Sequence, residues 1–154
     1  MSKELFIQEL KNFHSYHANS LLSIKNAMNG LMKGEATCVK LHDCAIQKWI
    51  EKRRDVLVRL YGSETVKKLE VRHEEWHEES QKICELVELM AKRKKGLMGK
   101  VFGKGKEKMQ ADEYDMALAY FSNLQELTEQ IDSTFVRMSK RAKALTPDMF
   151  EDIE

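Results

Sequence analysis

His73 and His77 stand four residues apart in His73-Glu-Glu-Trp-His77. On a helix this spacing puts two imidazoles on one face, a turn apart, where both can bind a single cation. Two other residues offer donors of the same class. His17 takes the place of an apolar residue in a regular stripe of the first predicted helix, and a bare imidazole in a core needs a partner. Cys44 falls in the first predicted turn of the second helix, where the helix dipole favours a thiolate. His17, Cys44, His73 and His77 therefore come from three helices. Together they would make a closed tetrahedral site for Zn2+, with three imidazoles and one thiolate.

The same residues allow other chemistry. His73-Glu74-Glu75-Trp76-His77 matches H-E-x-x-H, in which the Glu is the general base of a zinc metallopeptidase. Against this, residue 80 is Ser, no His follows His77, and no strand that could hold a peptide substrate is evident. Glu70-x-x-His73 and Glu74-x-x-His77 resemble the element that carries di-iron sites in helical bundles, but both lie on one helix and the site needs two. A hemerythrin-like oxygen binder would need more histidines than the five present. A metal-free adaptor bundle is the remaining alternative. His14 and His42 are expected at the surface, His42 with a substitute-ligand role as its alternative. Cys38 is expected as a free surface thiol, with a resolving role as its alternative, and Cys84 as a small core residue two turns beyond His77.

The elements that must position these groups are helices. Phe6, Leu10, Phe13, His17, Leu21, Ile24 and Met28 follow one another at spacings of three or four, which predicts one helix over 3–28. Asp43 is the expected N-cap of a second helix running to Leu60, stopped by Tyr61-Gly62. Ser63 opens a third with no breaker before Gly96, its apolar face carrying Val66, Leu69, His73, His77, Cys84 and Val87 with Trp76 and Leu86 at its flanks. The fourth, over 112–145, keeps its stripe from Ala117 through Phe121, Leu124, Thr128, Ile131, Phe135, Met138, Ala142 and Leu145. One Pro and seven Gly in 154 residues leave long helices uninterrupted. The expectation is an all-α, single-domain four-helix bundle over 1–154.

Composition narrows the partners. Twenty-six Lys and Arg balance 25 Asp and Glu, which argues against nucleic acid as a partner. No apolar run approaches the ~20 residues of a membrane span. No signal peptide is evident, and an odd cysteine count favours a reducing, cytoplasmic setting. One stretch departs from the balance. Residues 92–108 hold eight of the 26 basic residues and four of the seven glycines, which predicts a basic hairpin between the last two helices or a patch for an anionic partner or a membrane surface.

The set of residues resembles the chemoreceptor zinc-binding domain (CZB domain) of bacterial signalling proteins. That family has a His in its first helix, then Cys-x-x-Gly-x-Trp, then His-x-x-x-His. Here these read His17, Cys44-Ala-Ile-Gln-Lys-Trp49 and His73-Glu-Glu-Trp-His77, with Gly30 at the usual break of the first helix. Gln47 stands in place of the Gly, and Ser20 where a Trp is common. The resemblance implies zinc on His17, Cys44, His73 and His77 in a dimeric bundle without catalysis of its own. It implies a regulator of chemotaxis or cyclic-di-GMP signalling, sensing zinc or oxidants such as hypochlorous acid through the thiolate. Most members carry an attached output domain, and none is present in these 154 residues.

Overall fold

A computed structural model describes residues 2–31, 38–97 and 109–150. Its helices are α1 (Lys3–Phe13), α2 (Tyr16–Met28), α3 (Ala45–Tyr61), α4 (Ser63–Leu97) and α5 (Ala111–Ala144), with short 3-10 turns at Leu41–Asp43 and Pro147–Phe150. The chain is an all-α bundle of four helical arms, α1 and α2 forming one kinked arm. No strand occurs among the described residues. Residues 98–108, most of the expected basic hairpin, and residues 32–37 lie outside them.

α5 lies along α4 and along the α1–α2 arm, while α3 packs on α4. The expected stripes are the surfaces that meet. Phe6, Leu10, His17, Ile24 and Met28 are buried from the first arm, and Ala117, Phe121, Leu124, Thr128, Ile131, Phe135, Met138 and Ala142 from α5. Trp49 fills the space between three arms, with its ring centroid 6.0 Å from Phe6, 5.3 Å from Phe13 and 6.0 Å from Phe135. Its indole N–H donates to Glu9 at 2.8 Å, and Arg53 reaches the other oxygen of the same carboxylate at 3.2 Å. A hydrophobic contact and a charge-assisted hydrogen bond thus join α3 to α1.

Three local features differ from the expected elements. The first helix is interrupted at Ser15, whose φ of 66° lies in the left-handed region. That conformation is costly for a residue with a Cβ, and a tertiary contact offsets it: the Ser15 N–H donates to Asp132 Oδ1 of α5 at 3.0 Å. The second helix begins one residue later than a cap at Asp43 would place it. Asp43 belongs to the 3-10 turn, and Cys44 itself is the N-cap of α3. Trp76, expected at the flank of its helix, is core, with 3% of its surface exposed and its indole N–H donating to Thr128 Oγ1 at 2.8 Å.

Candidate metal centre

Each of the three arms brings its donor to the same point. α2 begins at Tyr16, so His17 projects from the first turn of a new helix. Cys44 sits at the mouth of α3, and α4 carries His73 and His77 on successive turns. All four side chains are buried: Cys44 and His73 at 0% exposure, His17 at 1% and His77 at 3%. One ligand atom from each lies within 4.8 Å of all the others.

The spacing is that of a cation's coordination shell. Zn–N bonds of about 2.0–2.1 Å and a Zn–S bond of about 2.3 Å on tetrahedral corners set N···N near ~3.3 Å and N···S near ~3.6 Å. His73 Nε2 and His77 Nε2 are 3.2 Å apart, and Cys44 Sγ lies 3.4 Å from His73 Nε2 and 3.9 Å from His17 Nε2.

Hydrogen bonds at the far side of two rings fix which nitrogen faces inward. His77 Nδ1 lies 2.8 Å from the Val39 carbonyl, and His73 Nδ1 lies 3.0 Å from Gln47 Oε1. A carbonyl oxygen only accepts, so each Nδ1 carries the proton and each Nε2 presents a lone pair. Two lone pairs meeting at 3.2 Å repel each other unless a positive charge lies between them. One thiol proton on Cys44 could serve a single imidazole, whereas a divalent cation satisfies all four donors. The His17 ring makes a different contact: Trp76 lies over it, with centroids 4.2 Å apart and planes inclined by 34°.

The electrostatics favour neutral imidazoles. Burial, reinforced by His73 and His77, pushes the pKa of His17 down to about 2. Burial and then His77 push His73 down to about 3. Burial also lowers His77, opposed by the bond to Val39. Neutral imidazole is the form that binds metal. Burial raises the Cys44 thiol pKa, and the N–H groups of Gln47 and Ile46 at the start of α3 only partly offset it. The expectation that the helix terminus alone would favour the thiolate is therefore corrected: desolvation outweighs it, and a bound cation would supply the missing charge.

The rival motifs place their carboxylates elsewhere. Glu74, the Glu of H-E-x-x-H, is exposed to solvent. Glu70 pairs with Arg54 at 3.0 Å. Neither joins the cluster. His42 is exposed beside Asp43, and His14 is exposed too, both as expected.

The two remaining cysteines differ from their expected roles. Cys38 is paired with Cys84 as a disulfide, their Cα atoms 6.2 Å apart. Cys84 is indeed core, at 4% exposure, but Cys38 is neither free nor at the open surface. The segment after residue 37 runs back along α4, which brings position 38 beside a residue 46 places later. Spacing within single helices could not reveal that return.

Sequence reasoning also missed the groups that orient the imidazoles. In the sequence Gln47 shows only as a departure from Gly. Its position three residues after Cys44, on the metal-facing side of the same helix, was the available signal. The Val39 carbonyl is backbone and has no signature in the sequence.

No family model matches the chain, and no curated protein or solved structure matches it significantly. Among the described residues, no helix is long and apolar enough to cross a membrane.

Proposed function

We propose that this chain is a zinc-binding sensory or regulatory domain of the chemoreceptor zinc-binding type, acting in bacterial signalling as a cytoplasmic homodimer without catalysis of its own. The observation that carries the reading is the convergence of three imidazole nitrogens and one sulfur, from three arms, at zinc-like separations. A nitrogen and sulfur donor set selects zinc over hard cations such as magnesium or calcium. Four protein donors describe a closed site, whereas a hydrolytic zinc keeps a position for water. The exposed position of Glu74 supports the same choice.

The chemistry suits a sensor. Bound zinc ties the start of α2, the mouth of α3 and the middle of α4 into one unit. Cys44 is the one oxidisable donor among the four. Hypochlorous acid would convert its thiolate to a sulfenic acid with release of chloride, leaving three neutral donors and a loosened joint between the arms. The change in packing is the output that a chemotaxis or cyclic-di-GMP partner would read.

Metal analysis of the purified chain tests this reading. The expected result is one zinc per chain in the wild type and little in Cys44→Ala. Undiminished zinc in that variant, or a wild type that takes up none, would overturn the assignment. Glu74→Gln is expected to leave the zinc content unchanged.

A further inference from the structure

We infer that Cys38 and Cys84 are a redox modification site, a dithiol–disulfide couple whose state sets how firmly the neighbouring metal is held. The inference rests on the zinc reading and adds a regulator to it that is separate from the Cys44 thiolate.

The observations concern the segment just before α3. Cys38 is bonded to Cys84, which lies two turns beyond His77 on α4. The next residue, Val39, supplies the carbonyl that accepts the His77 Nδ1 proton at 2.8 Å. The bond at 38 therefore clamps onto α4 the stretch of backbone that orients a metal ligand also on α4. Cys38 Sγ further lies 3.2 Å from the Ser80 carbonyl, along the same line of approach. A small cavity of about 10 Å³ is shared by Cys38, Val39, Ser80, His77, Cys44 and His17, so the segment lies directly against the metal cluster. Three of the four proposed ligands, Cys44, His73 and His77, fall inside the covalent loop that the bond closes.

Oxidation needs an acceptor, and a small-molecule disulfide of the glutathione type suits the geometry. Cys38 is half-buried, whereas Cys84 is 4% and Cys44 is 0% exposed, so Cys38 is the sulfur an external disulfide reaches first. Its thiolate attacks the disulfide and expels one small thiolate. The Cys84 thiolate then displaces the second, closing the Cys38–Cys84 bond. Two protein thiols are oxidised, one small disulfide is reduced to two thiols, and the two protons leave on those thiols. In a reducing compartment the couple rests as thiols, and oxidative stress would close it.

Closing the bond holds the Val39 carbonyl against His77, so the oxidised form is the one that retains metal. The test compares the zinc-loaded 154-residue chain after treatment with glutathione disulfide or with a phosphine reductant. Titratable thiols in denaturant should fall from three to one on oxidation, with peptide mapping placing the new bond at Cys38 and Cys84. Zinc transfer to a colorimetric chelator should then be roughly 10-fold slower in the disulfide form, the lower end of the effect expected when the outer partner of a metal-bound histidine is secured. Cys38→Ser and Cys84→Ser, each checked for native helicity, should lose the difference between the two treatments. Equal transfer rates from the two forms of a zinc-loaded wild type, or failure of Cys38 and Cys84 to pair, would overturn the inference and leave the zinc reading standing. Absence of zinc from both forms would overturn both.

Discussion

At the residue scale, Gln47 orients one of the four donors. Its amide oxygen holds the His73 Nδ1 proton at 3.0 Å and thereby aims Nε2 inward. Gln47→Leu, which keeps bulk and removes the acceptor, should retain zinc stoichiometry but weaken affinity by roughly 10- to 100-fold. Competition against a chelator of known strength would measure this, and unchanged affinity would show that His73 is oriented by packing alone. The four donors were legible in the sequence because His and Cys at stripe positions conflict with burial unless something compensates them. Their orienting partners were not. One is a Gln whose role depends on where the far end of its side chain points, and the other is the Val39 carbonyl, a group every residue has and only the fold places beside His77.

Among the elements, the joint between α4 and α5 is secured by a polar contact inside an apolar seam. Trp76 donates to Thr128, and the Thr128 hydroxyl in turn donates to the Leu124 carbonyl at 2.8 Å. Thr128→Val preserves shape but leaves the buried indole N–H without its acceptor. It should destabilise the fold by about 1–3 kcal/mol, the cost of an unsatisfied buried donor, in urea unfolding. Thr128→Ser should recover most of the loss. The long stripes of α4 and α5 were legible because their three-four alternation persists for many turns, and Thr128 fitted that alternation without revealing its hydroxyl's task. The interruption at Ser15 was not legible. Neither Gly nor Pro marks it, and its stabilising partner, Asp132, is more than a hundred residues away. Phe150 was missed for a related reason: it follows Pro147 in the short turn after α5, yet it is 1% exposed and packs 5.6 Å from Phe6.

For the whole molecule, three buried neutral histidines make stability depend on acidity. In the metal-free fold His17 stays neutral to about pH 2 and His73 to about pH 3, while the unfolded chain takes up protons near their ordinary value of 6.5. Between those limits the unfolded state binds more protons, so stability falls as pH falls below about 6.5. The slope approaches about 1.4 kcal/mol per pH unit for each histidine, and the contribution vanishes well above that pH. Denaturant unfolding of the metal-free protein at pH 7.5, 6 and 5 (round values on either side of ~6.5) should show this decline. Zinc-loaded protein should resist it to lower pH, because protons must then compete with the metal for the same nitrogens. A metal-free protein equally stable across that range would contradict the burial of these rings.

The chain has two tryptophans, and the bundle gives them very different surroundings. Trp49 is enclosed by phenylalanines, whereas the Trp76 ring lies 4.2 Å from His17 and 5.0 Å from His77. Indole emission is sensitive to the charge and rigidity of what it touches, so Trp76 is a built-in optical probe of the cluster. In a Trp49→Phe background, its fluorescence becomes a label-free signal for metal entering, metal leaving or a ring taking up a proton.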